Sequence, residues 1–256
     1  MRRLQPLWLA LALLTTLPVA GLVRAPVTPA QQGRSVLCYP LVGLLLGGAL
    51  ALAAILLAGV TAPLGAALLL ALWVGLTGAL HLDGLADCTD AWFAGHREGH
   101  DDGQLSLQVM KDPAAGPMGV TALVLVLLLK FAALLALWPR AAGALLAALV
   151  LARCAGLGLM LTTRYRRSSG LASAIDPNLP VVTALGIGAL VLVAGALAWP
   201  VASWLVAVLA AAVCTCGWRA IWQRRIGGYT GDVVGGLIEC VETTVLLVAA
   251  LTVIWR

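Results

Sequence analysis

The sequence predicts an all-α fold: a polytopic integral membrane bundle of about seven transmembrane helices, preceded by an interfacial or re-entrant N-terminal helix. Composition is the first reason, since 62% of the 256 residues are hydrophobic and 11% are charged, whereas about 25% of a soluble domain is charged. The second is that apolar runs of about 20 residues, the length a bilayer core requires, recur along the chain. The third is that most polar residues lie in a few connections between those runs.

The N-terminal apolar run, residues 7–23, follows Arg2 and Arg3 and has the layout of a signal peptide. Pro18 interrupts the run, and no stop-transfer contrast follows it. We therefore predict a retained helix that lies shallowly in the membrane or re-enters it, rather than a cleaved signal or a complete span.

Seven longer runs follow, and we predict that the whole chain, 1–256, forms one membrane-embedded domain. Short turns that contain proline separate several of the runs, and three connections are longer and polar, at 83–117, 163–179 and 223–232. With seven spans, these three connections lie on the same side as the N-terminus. The predicted spans are 37–58, 63–82, 118–138, 142–162, 180–198, 202–222 and 233–254.

Basic residues are distributed unevenly between the two predicted sides. Twelve arginines and lysines lie on the side of the long polar connections, whereas the other side has only Arg140 and Arg256. Positive residues concentrate on the cytoplasmic side of membrane proteins, so we predict that the polar connections face the cytoplasm. The net charge of +5 therefore reflects orientation in the bilayer, and no nucleic-acid partner is predicted.

One acidic motif, His-Leu-Asp-Gly-Leu-Ala-Asp-Cys-Thr-Asp at 81–90, follows the second predicted span. Asp83, Asp87 and Asp90 are spaced i, i+4 and i+7, which places them on one face of a helix. Adjacent carboxylates repel one another unless a cation lies between them. Because oxygen ligands suit a hard cation, we predict all three as catalytic ligands of Mg²⁺. The six cysteines include no Cys-x-x-Cys pair, and no zinc site is predicted.

Three further polar clusters lie on the same predicted side. Lys111 and Asp112 belong to the first long connection, and Arg164 begins a basic cluster in the second. The third cluster, Gly-Gly-Tyr-Thr-Gly-Asp at 227–232, opens a helix, where glycines expose backbone N–H groups to an anion. Asp232 is predicted as a fourth catalytic Mg²⁺ ligand.

Charged residues inside apolar spans also indicate function, because they are costly there and usually face the bundle interior. Arg153 lies near the middle of a span, and Glu239 or Glu242 is its predicted partner. Such pairing alone would be structural, and Arg164 also satisfies the positive-inside distribution, so both alternatives stay open. Carboxylates, a cation and basic groups on one membrane face favour phosphoryl transfer. The predicted substrate-binding residues are Lys111, Asp112, Arg153, Arg164, Gly228, Thr230, Gly231, Glu239 and Glu242.

These motifs resemble the cobalamin synthase family, the adenosylcobinamide-GDP ribazoletransferases. They occur in the family's order and nearly from end to end of the chain. The chain departs from the family pattern at Thr16, Ala91 and Ala114. The matching segments are 81–87 with Asp90, Met-Lys-Asp at 110–112, and Gly-Gly-x-Thr-Gly-Asp at 227–232 followed by Glu239 and Glu242.

The resemblance implies the final assembly step of cobamide synthesis, at the cytoplasmic face of a bacterial or archaeal inner membrane. A ribose hydroxyl of α-ribazole, or of its 5′-phosphate, attacks the corrinoid-bound phosphate of adenosylcobinamide-GDP. The products are GMP and adenosylcobalamin or its 5′-phosphate, and Mg²⁺ is the implied cofactor. No oligomeric state is predicted.

Two alternatives from other classes stay open. A CDP-alcohol phosphotransferase shares the Asp-Gly start of the motif, but its pattern places an arginine where this chain has Asp87. An ion-coupled transporter would use Lys130, Arg153, Glu239 and Glu242 as a relay near the bilayer midplane.

Overall fold

The computed structural model describes residues 4–97, 103–167, 175 and 178–254, except for the side chains of residues 95–97, 253 and 254. Parts of the two longest predicted connections, 83–117 and 163–179, therefore lie outside the described residues. Within them the fold is helical, with one isolated β-bridge. The helices are α1 Gln5–Leu14, α2 Pro29–Val36, α3 Tyr39–Leu56, α4 Ala62–Thr77, α5 Leu80–Arg97, α6 Gly103–Val109, α7 Pro117–Leu137, α8 Ala142–Thr162, α9 Val181–Ala198, α10 Val201–Ile226 and α11 Gly231–Ile254.

The predicted all-α membrane bundle is confirmed. Six of these helices are long and apolar enough to cross a membrane, or seven if the bent pair of α4 and α5 counts as one span. Predicted and observed boundaries agree within a few residues for most spans, but α10 continues to Ile226 rather than ending at residue 222. The short α1 is not a complete span, as the sequence predicted.

The second predicted span, 63–82, is wrong at its end. Helix α4 stops at Thr77 because Gly78 takes the left-handed conformation (φ 61°) and Ala79 follows it there (φ 58°). The Ala79 N–H then donates to the Val74 carbonyl at 3.2 Å, which closes the helix end. The axes of α4 and α5 consequently meet at 85°, so the acidic motif lies on a separate helix.

Helix α5 lies across the ends of three spanning helices. Asp90 contacts the first turn of α7, Gly84 contacts the first turn of α11, and Arg225 at the end of α10 donates to the carbonyl of Trp92. Helix α5 therefore meets three helix ends and stands nearly perpendicular to α4, so it does not continue the direction of that helix. The predicted polar connection 83–117 is therefore largely helical, since it also contains α6.

The centre of the bundle is formed by α8 and α11, of whose spans 67% and 72% are buried, against 11% for α9 and α10. Helix α3 packs closely on α8 because Gly43 and Gly47 present no side chain there. A Cβ on Gly43 would lie 2.5 Å from the Leu149 carbonyl oxygen. Small residues four apart allow such close approach of membrane helices.

The segment after α1 completes the helix end at which α4 stops. The Thr16 hydroxyl donates to the Gly75 carbonyl at 2.9 Å, and the Thr16 N–H donates to the Leu76 carbonyl at 2.9 Å. Carbonyl groups at a helix end have no partner within the helix, so Thr16 stabilises the end that precedes the acidic motif.

Candidate active site

The acidic motif and the glycine-rich loop meet where α5 crosses the start of α11. A Cβ on Gly84 would lie 2.8 Å from the Asp232 carbonyl oxygen, and a Cβ on Gly235 would lie 3.5 Å from the His81 Cα. Glycine at both positions therefore lets the two backbones approach. As a result, Asp83 and Asp232 lie in the wall of the same cavity, which joins the two predicted halves of the site.

This cavity has a volume of about 260 Å³ and extends along α11 from Gly231 to Ile238. Near the start of α11 its wall carries charged side chains, whereas further along α11 it is lined by Val234, Gly235 and Ile238. Apolar residues of α1 and α8 also line the cavity. We call it the α11 cavity. It combines a charged end with an apolar end.

Arg167 is the basic residue of the charged end. Its Nη2 donates to Asp232 Oδ2 at 2.7 Å and to the Met110 carbonyl at 3.3 Å, and its buried Nε has no hydrogen-bond partner. The sequence singled out Arg164, but that side chain is exposed, and its carbonyl group supports the neighbouring loop. Both arginines belong to one basic cluster, and spacing alone could not show which of them enters the cavity.

The glycine-rich loop is held by the segment that follows α8. The Tyr229 N–H donates to the Arg164 carbonyl at 2.9 Å, and the Arg166 N–H donates to the Tyr229 carbonyl at 3.0 Å. A Cβ on Gly228 would collide with the Arg164 carbonyl, whereas a Cβ on Gly231 would meet no atom of another described segment within 4 Å. The two predicted glycines therefore differ: Gly228 permits loop packing, and Gly231 leaves the cavity open.

Thr230 caps α11 rather than lining the α11 cavity. Its buried hydroxyl accepts the Val233 N–H at 3.3 Å and lies 3.3 Å from Asp232 Oδ2. Asp232, in the first turn of α11, is favourably placed because the N-terminus of a helix carries partial positive charge. Substrate binding by Thr230 stays a prediction.

Asp90 lies further along α5, beside a second cavity of about 230 Å³ that Asp87 and Asp112 also line. The Gly116 N–H donates to Asp90 Oδ2 at 2.7 Å, and the Gly119 N–H donates to Oδ1 at 2.9 Å. Asp90 thus caps the N-terminus of α7 from another helix. Its predicted role in metal binding would have to use the lone pairs that remain.

Lys111 and Asp112, which the sequence predicted as substrate-binding residues, are exposed on the connection between α6 and α7. Asp112 accepts the Ala114 N–H at 3.0 Å, which stabilises a local turn. The Lys111 side chain is exposed. Substrate binding by both stays a prediction.

The carboxylates of α5 and α11 influence one another. Burial, followed by the negative charges of Asp232 and Asp83, raises the pKa of Asp87 to about 7. A bound cation relieves repulsion of this kind. Asp83, Asp87 and Asp232 are therefore chemically suited to a hard cation.

The arrangement fits an ion that is shared with a substrate. Within the described parts of the chain, no three Asp, Glu, His or Cys side chains converge on one point as a preformed metal site would. Mg²⁺, however, is commonly bound by one or two carboxylates, with substrate phosphates and water completing its shell. The oxygen donors present are compatible with that kind of site.

Glu239 and Glu242 lie in a different cluster, deeper in the bundle. Lys130 Nζ is 2.5 Å from Glu239 Oε1 and 2.6 Å from Glu242 Oε2, and Arg153 pairs with Glu242 Oε1. Lys130 also lies over the Trp73 ring, 4.1 Å from its centroid. The predicted pairing of Arg153 with one of these glutamates is confirmed. None of the four charged residues lines either cavity described above, and their binding of substrate stays a prediction.

Sequence reasoning missed His81 and Arg225. His81 is buried, lines the α11 cavity, and its Nε2 has no hydrogen-bond partner. Arg225 donates from Nε to the Ser106 hydroxyl at 2.9 Å and from Nη2 to the Trp92 carbonyl at 3.1 Å, which holds α5 and α6 on α10. The sequence could have indicated His81, because it is the first residue of the acidic motif. It could not distinguish Arg225 from the other basic residues on the predicted cytoplasmic side.

The fold and the site together define a polytopic membrane protein with a cavity at one end of its bundle, where aspartates from two helices meet one arginine. The chain belongs to the cobalamin-5-phosphate synthase family, whose model matches residues 6–250. This confirms the resemblance drawn from the motifs.

Relatives that carry one enzyme name match nearly the whole chain. It is 50% identical to the adenosylcobinamide-GDP ribazoletransferase of Stutzerimonas stutzeri (strain A1501), over 97% of this chain and 98% of the relative. It is 49% identical to the protein of that name from Pseudomonas putida (strain W619), over 96% of this chain and 98% of the relative. No solved structure matches the chain significantly.

Proposed function

We propose that this protein is a Mg²⁺-dependent phosphotransferase that completes cobamide assembly. It joins α-ribazole, or α-ribazole 5′-phosphate, to the corrinoid of adenosylcobinamide-GDP and releases GMP. Family membership and the names of the relatives support the substrates. The observation that carries the proposal is the charged end of the α11 cavity, where Asp83, Asp232 and Arg167 lie together.

The chemistry is attack of a ribose hydroxyl oxygen on the phosphorus that bears the corrinoid arm. One P–O bond forms, the P–O bond to GMP breaks, and the hydroxyl proton passes to a carboxylate of the cluster. Arg167 supplies positive charge for the phosphate oxygens, and the open space at Gly231 lets phosphate approach the N-terminus of α11. Most of the rate enhancement in such a site comes from positioning and electrostatics.

Asp83, Asp87 and Asp232 are the residues that would hold Mg²⁺. When bound, the ion would neutralise charge on the diphosphate and on the departing GMP. The chain's own contribution is to keep these carboxylates together through the close contact of Gly84 with α11. Asp90 positions the start of α7 next to them through the Gly116 and Gly119 N–H groups.

The decisive experiment measures GMP release by the purified protein from adenosylcobinamide-GDP and α-ribazole, with and without Mg²⁺. We expect release that depends on all three components. A protein that releases no GMP, but forms CMP from a CDP-alcohol or carries ions across vesicles, would contradict the proposal. The family comparisons do not favour either of those alternatives.

The orientation of the site is part of the same proposal. We infer that the α11 cavity faces the cytoplasm of a bacterial or archaeal inner membrane, because the basic residues concentrate on that side. Single cysteines placed at Arg164 and Lys111 of a cysteine-free variant should react with an impermeant reagent only from the cytoplasmic side. A cysteine at Arg140 serves as the control for the opposite side.

A further inference from the structure

We propose that the apolar end of the α11 cavity binds the bicyclic base of the nucleoside acceptor, and that His81 donates a hydrogen bond to the base's free ring nitrogen. This inference rests on the proposed function and adds a specificity-determining contact to it.

The shape of the cavity supports this assignment. The apolar residues of its wall are Leu13, Leu14, Tyr39, Met160, Val234 and Ile238. The volume of about 260 Å³ is below the 300–1,000 Å³ of pockets for drug-sized ligands. A flat, methylated bicyclic base suits such a space, whereas a corrinoid ring is far too large.

The second observation is an unpartnered polar atom on a residue of the cavity wall. Among the described residues, the buried His81 Nε2 has no hydrogen-bond partner, and His81 as a whole is only 3% exposed. Buried polar groups are almost always paired, and an unpaired one in a native structure needs an explanation. A ligand that brings one hydrogen-bonding atom into the cavity supplies that partner.

The chemistry of the imidazole matches one atom of the base. A neutral imidazole with its hydrogen on Nε2 donates one hydrogen bond. The base of α-ribazole is a benzimidazole, and an N-glycosylated benzimidazole has one free ring nitrogen, which only accepts.

The position of His81 in the cavity wall also fits the reaction. His81 precedes Asp83 by two residues on α5, and both line the cavity. A base held near His81 therefore lies in the same cavity as Asp83, Asp232 and Arg167, where the hydroxyl must react. The guanine of the other substrate is a poor match, because several polar groups on its edge would need partners in an apolar wall.

The test compares two acceptor nucleosides in the GMP-release assay: a benzimidazole riboside, and the indole riboside in which C–H replaces the free ring nitrogen. His81→Phe should lower kcat/KM for the benzimidazole riboside about 10-fold, as for loss of one buried hydrogen bond. It should leave the indole riboside and the KM for adenosylcobinamide-GDP unchanged. His81→Gln, whose amide also donates, should recover part of the loss.

Two further variants keep the test decisive. Met160→Trp fills the apolar end and should raise the KM for both nucleosides but not for adenosylcobinamide-GDP. Trp222→Phe is the matched control, because Trp222 Nε1 is also buried without a partner but lies outside the α11 cavity; its kinetics should be those of the wild type.

The outcomes separate the two proposals. Equal losses with both nucleosides in His81→Phe would overturn the base site, and so would a Met160→Trp effect confined to adenosylcobinamide-GDP. A wild-type protein that releases no GMP from either nucleoside would instead overturn the proposed function.

Discussion

Two clusters in the protein each contain both acidic and basic side chains. They differ in net charge and in exposure to solvent. In the middle of the bundle, two glutamates face Lys130 and Arg153, and no residue of the four is more than 3% exposed. At the end of the bundle, aspartates from α5 and α11 share Arg167, whose side chain is 23% exposed. The first cluster is balanced within the protein, whereas the second has an excess of negative charge beside a cavity.

This difference separates structural charges from functional ones. Buried charges that neutralise each other hold helices together, because removing one partner leaves the other uncompensated. Excess carboxylates at an accessible cavity destabilise one another and are retained where they bind a cation or a substrate. The sequence analysis assigned Glu239 and Glu242 to the same site as the aspartates, and the structure places the two groups in separate environments.

The largest effect is expected from breaking the balanced cluster. Glu242→Gln leaves Lys130 and Arg153 without their shared carboxylate, so the free energy of unfolding should fall by about 3–5 kcal/mol. Chemical unfolding of the purified protein in detergent measures this. Replacing Lys130 and Glu239 together with Met and Leu should cost less than Lys130→Met alone, and the opposite order would show that this network is not balanced as described.

The next effect is on catalysis and comes from the unbalanced cluster. Asp83→Asn keeps the shape of an exposed side chain and removes its charge, so kcat/KM for GMP release should fall at least ~100-fold. The free energy of unfolding should stay at the wild-type value, in contrast to Glu242→Gln. Near-normal turnover would remove Asp83 from the site.

Substitutions at Gly231 and Gly228 should also differ in whether they lower activity or stability. Gly231→Val adds bulk where no atom of another described segment lies within 4 Å of a Cβ, so it should abolish transfer while the protein remains as stable as the wild type. Gly228→Ala instead forces a Cβ against the Arg164 carbonyl and should lower stability. Thermal unfolding and GMP release, measured on both variants, distinguish them, and equal stability losses would contradict the proposed opening at Gly231.

A smaller effect is expected at Asp90, which is acidic but already paired. Asp90→Asn loses one of the two acceptor oxygens for the Gly116 and Gly119 N–H groups. Loss of a helix cap costs about 0.5–2 kcal/mol of stability, and kcat/KM should fall less than in Asp83→Asn. An activity loss as large as that of Asp83→Asn, without loss of stability, would favour direct metal binding by Asp90.

The last effect is a pH dependence of stability without Mg²⁺, which solvent screening reduces because Asp87 is only partly buried. The pKa of Asp87 is raised from 3.8 to about 7 in the folded protein. Between these two pH values, Asp87 is therefore protonated in the folded protein and ionised in the unfolded chain. Stability should therefore decrease as pH rises toward 7 and level off above it. Mg²⁺ should raise Tm more at pH 8 than at pH 5, and Asp87→Asn should reduce both effects.

The sequence by itself determined the membrane class, the approximate spans and the acidic spacing. These features follow from local rules, since hydrophobic run length reports bilayer thickness and i, i+4, i+7 spacing defines a helix face. It also determined that Arg153 needs an acidic partner, because an unpaired charge inside a span is too costly.

The tertiary structure alone decided how those elements form a site. The turn at Gly78 and Ala79 directs α5 across the bundle, and contact with Asp232 depends on Gly84 meeting another helix. Which arginine of the basic cluster enters the cavity, and which aspartate caps α7, likewise depend on residues far away in the chain. Helix crossing angles and close backbone approaches arise from packing between distant segments, and the pattern within one segment does not contain them.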